Sequence, residues 1–281
     1  MNYKTKYLKY KIKYINLKML NLYKFSGGAG TAIDSDSDDD DDDDTRTLSG
    51  FDNDDDDNGN YKELMLSLET TIPTDSKKII TYMTTHEATI NDIITIIDKY
   101  TKSKELFIQY FSFAIPSVNS ILQITQFANN EQILEVGAGN GLWAGLLKFV
   151  GCNIIATDNF SKEWKTGYVK YIDVEELSAT KAIEKYNTAN VLFLCWPPEF
   201  GGMAYRSIIL FKGNKLIYIG YYADQSYTGG DAFHEILNKD WKHVTSINIS
   251  SWAHDSVHLF TRKPTPNPIA DPGNSDSDTD L

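Results

Sequence analysis

Only two cysteines, Cys152 and Cys195, occur in the 281 residues, and both stand inside apolar runs. A disulfide framework is therefore not what holds the fold, and a reducing compartment is expected. Nowhere do roughly 18 apolar residues follow one another, the length that a membrane-crossing helix needs, so no membrane span is expected. The pattern of a secretory signal is missing as well. Lys recurs along the N-terminal segment and leaves no uninterrupted apolar core or small-residue cleavage site, so secretion is not expected. Basic charge is also scarce where a core can form. Residues 61–270 carry 19 Lys and Arg against 21 Asp and Glu, which gives no support for nucleic-acid binding by that part.

The charge that is present lies in blocks. Residues 1–33 hold seven Lys and no acid, whereas residues 34–60 hold fourteen Asp, including the run Asp38 to Asp44, against the single Arg46. Such an acidic segment cannot bury enough apolar surface to offset its ordering entropy. The chain end, PGNSDSDTDL, is acidic again. The chain accordingly divides into a basic arm (1–33), an acidic linker (34–60), a helical extension (61–109), a main domain (110–265) and an acidic tail (266–281). The arm, YKTKYLKYKIKYINLK, resembles the Lys/Tyr-rich leader found on many proteins of giant viruses of the mimivirus kind. That resemblance implies synthesis in a host cytoplasm and packaging in a virion or delivery to a viral factory. From the residues alone, the arm reads equally as a solvated basic helix suited to an anionic partner.

Apolar residues recur at helical spacing in ELMLSL near 63–68 and through EATINDIITIIDKY at 87–100, so helices flanking the domain are expected there. In ELFIQYFSFAIPSVNSILQITQFA, Pro116 separates two apolar runs, with Ser117 near the start of the second helix. EQILEVGAGNGLWAGLLKFV then reads as a strand over 133–136, a Gly-rich turn, and a helix with Leu142, Leu146 and Leu147 facing inward. Gly137, Gly139 and Gly141 have the spacing G-x-G-x-G, which lets a ligand approach the helix start with no Cβ in the way. The next strand, NIIATD, ends on Asp158, whose carboxylate can accept both hydroxyls of an adenosine ribose. A dinucleotide fingerprint would need glycine at 142, where Leu142 stands.

ILEVGAGNG resembles the first motif of class I S-adenosylmethionine-dependent methyltransferases, in which an acidic residue precedes G-x-G-x-G. The likeness covers about residues 110–262. It implies an α/β fold with a Rossmann-like seven-stranded sheet, and S-adenosylmethionine as cofactor. Carried over by position, Glu135 helps hold the methionine amino group, the three glycines make room, and Asp158 binds ribose. Asp173, at the end of a third strand near YVKYID, would meet the adenine amine. It reads equally as a carboxylate opening a helix over VEELSATKAIEKY. Strands NVLFLCW and KLIYIG and helices MAYRSIILF and DAFHEILN follow in the family's order, and HVTSINIS and SVHLFTR suit an antiparallel sheet end. One departure is the short connection, about nine residues from Asn159 to Gly167, between strands two and three.

CWPPEF follows the fourth strand at the carboxyl edge of the sheet, where ligands of open α/β folds sit. Trp196, Pro197, Pro198 and Phe200 are candidates to border the acceptor, and Glu199 is a candidate acceptor or base. The family's amino-methylating nucleic-acid enzymes have Asp or Asn before Pro-Pro. Trp196 stands there instead, so an aromatic small molecule or a protein side chain fits better than a DNA base. Cytosine-carbon methylases use Cys after Pro, whereas Cys195 precedes Pro197 by two residues and reads as a buried small apolar residue. The bland alternative is a strand end with Trp196 in the core. CWPP followed by Thr228, Gly229, Phe233, His234 and Trp241 resembles one branch of methyltransferase-like proteins, which supplies a fold and no substrate.

His234 is a second candidate proton acceptor or a structural histidine, in a helix entered by TGGD, where Thr228 and Asp231 have cap-like spacing. His254 and His258 lack metal-ligand spacing, and no metal site is expected. Two functions stay open: a methyltransferase with an unidentified acceptor, and a methyltransferase fold kept as a binding or structural module of a viral particle.

Overall fold

A computed structural model describes residues 57–160, 169–222, 227–250 and 255–264. The basic arm, the linker up to residue 56 and the acidic tail lie outside the described residues, as does His254. Among the described residues four helices come first: α1 (Asp57–Thr85), α2 (Ile90–Asp98), α3 (Lys104–Tyr110) and α4 (Val118–Ala128). The alternating part follows as β1 (Ile133–Val136), α5 (Leu142–Phe149), β2 (Ile154–Asp158), β3 (Glu175–Glu176), α6 (Ala179–Lys185), β4 (Val191–Cys195), α7 (Met203–Leu210), β5 (Lys215–Gly220), α8 (Asp231–Asp240), β6 (Trp241–Asn248) and β7 (Ser256–Arg262).

The strands form one seven-stranded sheet in the order β3-β2-β1-β4-β5-β7-β6. The first five are mutually parallel, and β7 runs antiparallel to both β5 and β6. This is the α/β sheet with an antiparallel end that the sequence order implies. Period-two alternation sorts the strand residues between two cores. Ile133, Phe193, Ile217 and Leu259 face α1 to α5, while Leu134, Leu192, Leu216 and Phe260 face α6 to α8. The N-terminal helices thus share a core with the sheet, since Ile72, Ile79, Ile93 and Phe107 belong to the first cluster.

Local chemistry fixes several helix ends. Thr89 and Asp92 form a reciprocal capping box on α2, and Ser117 with Ser120 does the same on α4 after Pro116. Asn129 closes α4 in the left-handed region at φ 50°.

Three expectations differ from the structure. The apolar stretch near 63–68 is part of one 29-residue helix that runs through Pro73. Among its described side chains the buried ones, Ile72, Ser76, Ile79 and Met83, lie further along on a narrow stripe. The third strand is Glu175–Glu176 rather than YVKYID, paired to Thr157 and Asp158. Tyr171 is instead drawn into the helical layer, its hydroxyl 3.2 Å from Ser76 Oγ. The connection after β2 is correspondingly longer than nine residues. Finally, α6 begins at Ala179, capped by Ser178; 174–176 are not helical, and Glu175 and Glu176 pair with β2.

Candidate functional site

The carboxyl ends of β1, β2 and β4 open onto a cavity of about 290 Å³, lined among others by Glu135, Gly137, Gly139, Asp158, Cys195 and Trp196. A parallel sheet places its ligand crevice here because the strand order reverses between β1 and β4.

Asp158 ends β2 and turns its carboxylate back across the glycine turn. Gly139 N–H donates to Oδ2 and Phe160 N–H to Oδ1, each at 2.8 Å. These bonds fix the carboxylate while leaving a lone pair on each oxygen, the pattern that two vicinal hydroxyls require. Burial raises its pKa above the ordinary carboxylate value, and the two amide bonds oppose that rise.

Glu135 points from β1 into the same cavity. It is 1% exposed, and its Oε2 is buried with no hydrogen-bond partner. The Ala144 amide of α5 bonds to the carboxyl. Burial, followed by the neighbouring Asp158 charge, pushes its pKa up to about 8. An orphaned carboxyl oxygen of this kind calls for a cationic or donor group from a ligand.

The glycines of the turn serve different ends. A Cβ on Gly141, at φ 76°, would lie 2.5 Å from Ile172 Cγ2, whereas one on Gly139, at φ 59°, would meet nothing within 4 Å. Gly141 therefore answers to packing and Gly139 to open space in the cavity. Replacing Gly141 by Ala is expected to cost about 2 kcal/mol and lower the melting temperature by roughly 4–8 °C, read by thermal unfolding. Gly139→Ala should cost about 1 kcal/mol and act mainly on ligand affinity. A larger melting shift for Gly139→Ala than for Gly141→Ala would contradict this division.

Trp196 forms another wall of the cavity. Its backbone sits at φ 49°, a left-handed conformation that is costly for so bulky a residue, by about 1–3 kcal/mol. Its ring stacks on Phe113 with centroids 5.8 Å apart, and its Nε1–H is buried with no acceptor. Cys195, next to it, has its pKa pushed well above the usual thiol value by burial, so the thiol stays neutral.

Not all candidates converge. Pro198 lines the cavity, but Pro197, Glu199 and Phe200 do not, and Phe200 is 72% exposed. Asp173 is exposed and lies outside the cavity, because the chain turns there before joining β2. His234 is buried beneath the loop, with Nε2 2.8 Å from the Thr228 carbonyl. Burial lowers its pKa. Gly230 occupies the cap position of α8 with no side-chain cap bond. Thr228 is not a cap, since its Oγ1 accepts from Tyr221 N at 3.2 Å and meets the Tyr218 hydroxyl.

Sequence reasoning missed the roof. Ile108, Phe111, Ser112 and Phe113, from the end of α3 and the loop beyond it, line the cavity. Trp143 Nε1–H donates to Ser112 Oγ at 3.2 Å, and Asn140 Nδ2 to the Tyr110 carbonyl at 2.9 Å, which ties this loop to the glycine turn. The only signal was position, since Pro116 ends a loop that must lie over the sheet edge. Among the described residues no helix is long and apolar enough to cross a membrane, and no three His, Cys, Asp or Glu side chains gather as metal ligands.

No protein-family model and no curated protein matches the chain. Solved structures resemble it at low identity. One is the magnesium protoporphyrin IX methyltransferase of Synechocystis PCC 6803 with bound SAM, 12% identical, covering 60% of this chain and 97% of that one at a TM-score of 0.37. Another is the 1,6-didemethyltoxoflavin-N1-methyltransferase of Burkholderia thailandensis, 11% identical over 60% and 86% of the two chains at 0.40. The mitomycin 7-O-methyltransferase MmcR is 14% identical over 68% of each at 0.39. Scores this low add no weight to what strand order and site geometry supply.

Proposed function

We propose that the chain binds S-adenosylmethionine and transfers its methyl group to an unidentified acceptor, a small molecule or a protein side chain. One observation supports this above all. The unpartnered, buried Oε2 of Glu135 shares a cavity with the pre-positioned carboxylate of Asp158. Glu135 suits the cofactor's ammonium group, Asp158 the ribose hydroxyls, and the open space above Gly139 the body of the cofactor. When bound, the cofactor supplies a methyl group on a sulfonium for in-line displacement, and this chain contributes alignment and exclusion of water.

Titration of the full chain by calorimetry with S-adenosylmethionine, and with NAD as the comparison, tests this reading. Saturable binding of the first alone is the expected result; binding of NAD alone, or of neither, would overturn it.

A second reading, a methyltransferase fold acting as a binding module, draws on one feature. Among the described residues the titratable groups lining the cavity are Glu135, Asp158 and Cys195, so neither Glu199 nor His234 stands ready as a base. An acceptor that needs no base, such as one already ionised, reconciles catalysis with that wall. The giant-virus setting is part of the same proposal and rests on the composition of the basic arm. It would place the protein in a host cytoplasm or a virion, with the arm on an anionic partner.

A further inference from the structure

The segment 227–230 has no place in the cofactor site, yet it is bonded to the acceptor wall at several points. Gly229 N–H donates to the Pro197 carbonyl at 3.0 Å, and Pro198 pairs with Thr228 as an isolated antiparallel bridge. A Cβ on Gly230 would lie 2.6 Å from the Glu199 carbonyl oxygen, so the two backbones touch. Beneath them, His234 Nε2 meets the Thr228 carbonyl at 2.8 Å, and Thr228 Oγ1 bonds Tyr221 N and the Tyr218 hydroxyl. On the other side Trp196 N–H donates to the Ile219 carbonyl at 2.8 Å. A residue at φ 49° persists only where its surroundings over-determine it.

We propose that His234 and Thr228 are positioning residues: they clamp the Pro197–Glu199 backbone and thereby hold the Trp196 ring as the acceptor-side wall. The clamp accounts for residues that chemistry at the cavity does not use, namely Thr228, Gly229, Gly230 and His234. His234 acts as the Nε2–H donor to a carbonyl, a role its burial favours because it keeps the ring neutral and in place. Packing of the imidazole against the Tyr218 ring, at 5.7 Å and 81°, and against Phe233, at 5.1 Å and 80°, fixes its plane. That the wall serves a methyl acceptor rests on the function proposed above; the mechanical coupling does not.

The test uses the full chain labelled with 15N, with the Trp196 indole resonance assigned through Trp196→Phe. His234→Ala is expected to shift that resonance and to speed exchange of the Gly229 amide by roughly five- to tenfold, the opening expected from loss of one buried hydrogen bond. His234→Gln, which keeps a donor, should restore both. Affinity for S-adenosylmethionine should stay within about twofold, because the clamp touches neither Glu135 nor Asp158. Gly230→Ala provides an independent push on the same backbone and should move the same resonance. An unmoved Trp196 resonance in Gly230→Ala, or in a folded His234→Ala, would overturn the clamp. A wild-type chain that fails to bind the cofactor would overturn the proposed function and leave the resonance test standing.

Discussion

Exchange of Asp158 for Ala is expected to weaken S-adenosylmethionine binding by about a hundredfold or more. The proposed function gives Asp158 two charge-assisted hydrogen bonds to ribose, at about 1.5–3 kcal/mol each, and the substitution would remove both. The substitution also frees the Gly139 and Phe160 amides that the carboxylate now holds, so the glycine turn loses its tether. Asp158→Asn separates the two contributions. An amide oxygen can still accept from one backbone N–H, but its NH2 group faces donors where an acceptor is needed. Intermediate affinity is expected, with most of the thermal stability retained. Calorimetry and thermal unfolding of the three proteins provide the check, and equal affinity of wild type and Asp158→Ala would remove Asp158 from the site.

The second large effect concerns pH. In the free protein the Glu135 carboxyl has its pKa at about 8, so at neutral pH it is mainly protonated. A cationic group seated on Oε2 favours the ionised form, and binding then expels a proton. Affinity should therefore rise between pH 6 and 7 by about tenfold per pH unit and level off near pH 8, where the free carboxyl is itself ionised. Calorimetry in buffers of different ionisation enthalpy would register nearly one proton released at pH 7. A flat affinity profile with no proton release would show that Glu135 does not receive the ammonium.

The same carboxyl gives the free protein the opposite trend. Its folded pKa lies above the unfolded value near 4.5, so the native state binds the extra proton and the linked stability is fully present below that value. As pH rises from there toward 8, the contribution falls by on the order of 1.4 kcal/mol per unit. Glu135→Gln removes the ionisation. It should leave the free protein more stable than wild type at pH 8 while costing most of the cofactor affinity, so that site chemistry and stability pull apart at one residue.

Much of this was written in local sequence. Ile133–Val136, Gly137, Gly139 and Gly141, the helix after them and the carboxylate at 158 follow one another closely enough that period and turn chemistry identify a strand, a glycine turn, a helix and an acidic end to the next strand. The antiparallel end was legible from the element order of the resembled family, in which HVTSINIS and SVHLFTR follow the last helix as two late strands. Other features depend on contacts between distant residues. YVKYID has strand composition, yet Tyr171 gains more by reaching Ser76 and the Tyr110 carbonyl than by pairing with β2, so the third strand forms two residues after Asp173. Glu199 and His234 are the residue types that make bases, and neither reaches the cavity, because Trp196 turns the chain away and Thr228 takes the imidazole.

What the sequence determined by itself is the alternation of elements and the side of the cavity built from Glu135, the glycine turn and Asp158, since both are set by residues near one another along the chain. Only the tertiary structure decided the opposite side of the cavity. The roof at Ile108–Phe113 and the clamp at 227–230 stand far from CWPP in sequence, and they meet it only because the order of the parallel strands brings their loops to one edge of the sheet.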